Sequence, residues 1–71
     1  MKIALKTRDE RLVARIINLA HRFGCSYDDL LARRRDDAYV AAIQLTGPAD
    51  ALRRLGPQIN KLIDDDKEYS Q

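Results

Sequence analysis

One cysteine, one histidine, three glycines and two prolines are all this 71-residue chain holds of the residues that staple, ligate or turn a backbone. The lone Cys25 excludes an intramolecular disulfide. With a single histidine, His21, it cannot complete a tetrahedral zinc site without carboxylates or a second chain. No metal and no cofactor is therefore expected. The apolar runs all fall short of the roughly 18 residues that a membrane-crossing helix requires, so no membrane role is expected either. An excess of charge is also missing. Thirteen basic against eleven acidic side chains leave a net charge of +2, too weak to predict nucleic-acid binding from bulk charge. No apolar signal segment precedes Lys2-Ile3, and together with the lone thiol this leads to the expectation of a reducing, cytoplasmic location.

What remains is a chain with room for one domain, residues 1–71. A domain of this size buries only about 60% of the surface its unfolded form exposes. Metals, disulfides and oligomerisation are the usual supports of so thin a core. The first two being excluded, association with other protein is the expected stabiliser, and a homodimer its simplest form.

The hydrophobic pattern divides the chain cleanly. Lys2 to Lys6 alternates, with Ile3 and Leu5 on one side and lysines on the other, as in a half-buried strand. Thr7-Arg8-Asp9-Glu10 has the form of a capping box, and Leu12, Val13, Ile16, Ile17, Leu19, Ala20 and Phe23 then recur at helical spacing up to Gly24. From Cys25 to Arg35 the alternation predicts a strand in which Cys25, Tyr27 and either Leu30 or Leu31 share a face, with a bulge at Asp28-Asp29. Asp36-Asp37 is a two-residue turn. Ala38 to Thr46 is a strand with Tyr39, Ala41, Ile43 and Leu45 on one face and Val40, Ala42, Gln44 and Thr46 on the other. After Gly47-Pro48 a second helix carries Ala51, Leu52, Leu55, Ile59, Leu62 and Ile63, with a kink or restart expected at Gly56-Pro57. Residues 66–71 are left as a short edge strand or a frayed tail.

Strand–helix–strand occurs twice in this order. The expected fold class is α+β, a ferredoxin-like βαββαβ sandwich whose four-stranded antiparallel sheet carries two helices on one face. The other face should then be polar in a monomer. Val40 and Ala42 point outward instead, and with Arg33 and Arg35 nearby they mark the expected partner interface.

The stretch LVARIINLAHRFGCSYDDL, from Leu12 to Leu30, resembles the first helix and second strand of ACT domains. PQINKLIDD, which begins at Pro57, is similar to the Q-x-x-K-L-V-D-V segment of acetolactate synthase small (regulatory) subunits, and the helix ending H-R-F-G and the length match the shortest of them. The resemblance covers nearly the whole chain. It implies a non-catalytic regulatory module that dimerises through its sheet and binds the large thiamine-diphosphate-dependent catalytic subunit in branched-chain amino acid synthesis. It further implies a branched-chain amino acid as effector, bound between two domains by the loop after the first strand and the start of the second. Here those positions are Arg8, Asp9, Glu10, Arg11, Leu12 and Ser26. The family's loop often carries an asparagine and a glycine where this chain has Arg8 and Arg11. Without glycine, close backbone approach to a carboxylate is hindered, so the partner role transfers more completely than the effector role.

Other readings rest on single features. Arg33-Arg34-Arg35 beside Tyr39 is the alternative, a grip for single-stranded nucleic acid. Against it, the strand offers only one aromatic where base-stacking sheets use several, so a solvated turn flank is favoured. Cys25 follows a helix C-terminus, where the dipole disfavours a thiolate, which points to a small buried side chain and not a nucleophile. Acylphosphatases share the expected topology, but their glycine-rich phosphate loop has no counterpart between Thr7 and Leu12. No catalytic residue is assigned, and the chain is not expected to be an enzyme.

Overall fold

The computed structural model describes the backbone of residues 1–70 and the side chains of residues 1–66. The elements follow as β1 (Lys2–Thr7), α1 (Arg11–Arg22), β2 (Ser26–Arg35), β3 (Ala38–Thr46) and α2 (Ala49–Ser70). The three strands form one open antiparallel sheet in the order β1-β3-β2. The class is therefore α+β, with β3 central and β1 and β2 at the edges.

Both helices cover one face of the sheet. Leu5 of β1 and Ala41, Ile43 and Leu45 of β3 meet Leu12, Ile16 and Ala20 of α1 and Ala51, Leu55 and Ile59 of α2 in a single buried cluster. These are the expected apolar stripes, each at its own period. Six large side chains, Leu12, Ile16, Ile43, Leu45, Leu55 and Ile59, are fully buried. Truncating any one to alanine costs about 2–5 kcal/mol, a large share of the ~5–15 kcal/mol that holds a typical domain.

The turns are specified locally. Gly24, with φ of +78°, ends α1 in a Schellman arrangement: its N–H donates to the His21 carbonyl at 3.0 Å, and the Cys25 N–H donates to the Ala20 carbonyl at 2.9 Å. Asp36 takes the left-handed φ of +59° that closes the two-residue link between β2 and β3. The bulge expected in β2 is present, as the register shifts between Tyr27 and Asp29. Past it, Leu30 stands opposite Ile43 and Leu31 opposite Ala42. Leu30 thus shares the helix-side face with Tyr27, and Leu31 lies on the opposite one.

Three expectations are corrected. Thr7 is not a helix cap: it is the last residue of β1, paired with Tyr39, and α1 begins four residues later. The Thr7 hydroxyl accepts the Asp9 N–H at 2.9 Å, and Asp9 Oδ1 accepts the Arg11 N–H at 2.9 Å in an Asx-type turn that leads into α1, whose N-cap, Glu10, makes no side-chain capping bond. Second, of the kink or restart expected at Gly56-Pro57 the restart does not occur: α2 runs through Pro57 as one helix. Proline removes the hydrogen bond to the Arg53 carbonyl, but Leu55 and Ile59 on either side of it are both anchored in the core. Third, the described residues form three strands and not four. Residues 66–70, expected as an edge strand or frayed tail, continue α2, and Gln71 lies outside the described residues. An edge strand at 66–70 would require the chain to reverse before it, and no glycine or proline between Gln58 and Ser70 turns it.

Candidate functional site

The face of the sheet away from the helices is built in three-residue rows. Ala4, Ala42 and Leu31 form the middle row, one residue from each strand. Lys6, Val40 and Arg33 flank it on one side, and Lys2, Gln44 and Asp29 on the other. Arg35 follows opposite Ala38. The expected interface residues Val40, Ala42, Arg33 and Arg35 therefore do share one face. Leu31, 58% exposed, and Val40, 37% exposed, form its apolar centre, framed by the cations Lys2, Lys6, Arg33 and Arg35 and by the acid Asp29. Strand spacing of about 4.8 Å brings the side chains of a row into contact, so the apolar residues read as one patch.

Leu31, Ala4 and the two lysines were not assigned to this surface by sequence reasoning. The lysines were legible from the alternation in β1. Leu31 was hidden because the unpaired bulge residue changes the phase of the alternation, leaving the face of each leucine undecided until the register is known.

All ten residues of β2 are exposed, on both faces. Tyr27 at 47% and Leu30 at 36% remain open even though they point to the helix side. The helices pack over β1 and β3, and β2 projects past them. Antiparallel sheets ordinarily bury one face of every strand, whereas no residue of the ten-residue edge strand β2 is fully buried on either face.

The residues implied in effector binding are not brought together by one chain. Arg8 to Leu12 lie beyond the end of β1, where Thr7 pairs with Tyr39, whereas Ser26 opens β2 opposite Thr46, with the two hydroxyls 3.4 Å apart. From Tyr39 to Thr46 is seven steps along β3, which at ~3.3 Å per residue separates the two groups by roughly 23 Å. Each loop residue already has a local task. Arg8 reaches Asp37 at 3.6 Å in an exposed ion pair. Glu10 accepts the Tyr39 hydroxyl at 3.1 Å, Arg11 pairs with Asp9 at 3.2 Å, and Leu12 is buried in the core. The hydrogen bonds from the Arg11 backbone N–H and guanidinium hold the Asp9 carboxyl below its ordinary value of 3.8.

The three arginines are likewise divided. Arg33 and Arg35 are on the open face, but Arg34 is opposite Tyr39 on the helix side. Neither Tyr27 nor Tyr39 reaches the open face, so no described aromatic stands among the cations there. Cys25 is buried in the core and His21 is exposed. Between α1 and α2 lies a groove of about 420 Å³ lined by residues including Arg15, Arg22, Lys61 and Asp65, with no histidine or cysteine in it. Among the described residues, no three His, Cys, Asp or Glu side chains converge as a metal-ligand set would, and no helix is long and apolar enough to cross a membrane. Comparison with family models, with curated proteins and with solved structures returns no match.

Proposed function

We propose that this chain is a non-catalytic regulatory module of ferredoxin-like, ACT type. It docks on the large catalytic chain of a thiamine-diphosphate enzyme of the acetolactate synthase kind. Antiparallel strands in the order β1-β3-β2, with both helices on one face, match the ferredoxin-like order without the strand that would flank β1. The resemblance from Leu12 to Leu30 and across PQINKLIDD supplies the partner. The observation that carries the reading is the open face itself. Leu31, Val40, Ala42 and Ala4 form an apolar centre flanked by four cations and one acid, Asp29, on a domain whose core is too small to make such exposure neutral. The excess of cations over the single acid suits an acidic partner surface, which steers approach and fixes register.

An amino-acid effector would need two copies, since the loop Arg8–Leu12 and Ser26 lie at opposite ends of one sheet. Nucleic-acid binding draws less support, because Arg34 and Tyr39 turn away from Arg33 and Arg35. The test is to mix the purified chain with an acetolactate synthase catalytic subunit. Co-elution with a rise in turnover is expected; neither effect appearing would overturn the proposal.

A further inference from the structure

We infer that the groove between α1 and α2 binds a small organic phosphate monoester, its phosphate held by Arg22, Lys61 and Gln58 and its body lying along Leu19 and Leu62 toward Asp65. The two helices run antiparallel, since Asp66, late in α2, bonds Thr7, just ahead of the start of α1. The groove they enclose, about 420 Å³, falls within the ~300–1,000 Å³ of ordinary ligand sites. Leu19 and Leu62, one from each helix and both half-buried, give it an apolar floor. Around them each helix sets its polar lining residues on one face, at i, i+3 and i+7. These are Arg15, Asn18 and Arg22 on α1, and Gln58, Lys61 and Asp65 on α2.

The charge along this groove is graded. Arg15 and Arg22 stand seven residues apart, about 10 Å along the helix axis. Antiparallel packing turns Arg15 toward Asp65 and Arg22 toward Gln58, so the groove's single acid lies at one end and its free cations, Arg22 and Lys61, toward the other. The ion pairs among the described residues, Arg8 with Asp37 and Arg11 with Asp9, use none of these groups. The donors select the anion. One guanidinium fork saturates a planar carboxylate, whereas a tetrahedral phosphate accepts hydrogen bonds from several directions. Arg22 approaches from one helix, and the Lys61 ammonium and the Gln58 amide from the other. At the far end Asp65 repels a second anion and only accepts hydrogen bonds, so the body of the ligand carries hydroxyl or amino donors there. The Asn18 amide, midway between the arginines, can meet either a donor or an acceptor on that body. A sugar phosphate and a nucleoside monophosphate share this chemistry. The groove belongs to the helix side of the sheet and the proposed docking face to the other, so the two readings stand independently.

The experiment is a heteronuclear NMR titration of the intact chain at fixed ionic strength, with ribose 5-phosphate, adenosine monophosphate and inorganic phosphate as probes. The two organic phosphates are expected to shift amides along the facing sides of α1 and α2, and to bind about tenfold or more tighter than inorganic phosphate. Tighter binding of adenosine monophosphate assigns the body to a nucleoside, and equal affinity of the two assigns it to a sugar phosphate. Arg22→Ala with Lys61→Ala should weaken the tighter probe about tenfold or more, because two charged donors are lost. The circular dichroism spectrum and melting temperature should stay unchanged, since both side chains are exposed. No shifts at millimolar probe, shifts centred outside the groove, a double variant that binds as the wild type does, or inorganic phosphate binding as tightly as either ester (an adventitious ion only) would each overturn the inference.

Discussion

The hydroxyl of Thr7, at the end of β1, donates to Oδ2 of Asp66 at 2.7 Å, across 59 residues of sequence. Thr7 is the one buried polar residue among those described, and this bond ties α2 to the sheet at the point where the helix carries on instead of giving way to a strand. Hydrogen bonds to a charged acceptor contribute about 1.5–3 kcal/mol. Thr7→Val should therefore lower stability by about 1–3 kcal/mol in urea denaturation. Combining it with Asp66→Ala should cost less than the sum of the two, as expected for one shared contact.

Gly47 and Cys25 form a second long-range constraint. A Cβ on Gly47 would lie 2.7 Å from Cys25 Sγ and 3.2 Å from its Cα. The link after β3 therefore passes too close to the link after α1 for any side chain. Gly47→Ala should destabilise by about 1–3 kcal/mol through overpacking. Adding Cys25→Ala removes the nearest atom and should recover part of that loss, whereas independent sites would simply add.

Two turns differ in how much relief they offer. Gly24 has open space around it, so Gly24→Ala should cost about 1–2 kcal/mol from its positive φ alone. Asp36 carries a comparable strain, and Asp36→Gly should raise stability by several tenths of a kcal/mol after the added freedom of the unfolded chain is offset. Thermal melts of the two variants should move in opposite directions.

The proposed docking face predicts a clean separation of binding from folding. Leu31→Glu with Val40→Glu places acids in an exposed apolar patch and should leave thermal stability within about 0.5 kcal/mol of the wild type. The same variant should no longer co-elute with the catalytic subunit. Retained co-elution would locate docking elsewhere.

Asp9 gives the pH dependence. Its carboxyl is held below 3.8 by hydrogen bonds from Arg11, so the unfolded chain binds the proton more readily than the folded one. The stability it contributes is complete above the ordinary value and is lost as pH falls through the lowered one. Carboxyl titration by NMR should give a midpoint for Asp9 below 3.8. Asp9→Asn should remove its share of the acid-limb slope while retaining an oxygen to accept the Arg11 N–H.

The short-range patterns were legible because each is a local statement. The stripe Leu12–Ile16–Ala20, the alternation from Ala38 to Thr46, the stop at Gly24 and the bulge at Asp28 all follow from side-chain period and backbone freedom within a few residues. Where local signals competed, they were insufficient. Thr7 to Glu10 spells a capping box, yet pairing with Tyr39 holds Thr7 in the strand and moves the helix start to Arg11. Pro57 argues for a restart that the buried Leu55 and Ile59 on either side of it override.

The amino-acid sequence by itself determined the helices, the β3 strand, the impossibility of an intramolecular disulfide and the opposed charges at the two ends of β2, since these are matters of residue type and spacing. Only the tertiary structure decided which β2 leucine faces outward, that Ser26 lies far from the Arg8–Leu12 loop, and that no β2 residue is fully buried. Those depend on strand register and on where the helices come to rest, which are set by contacts between residues distant in the chain and not by any local preference.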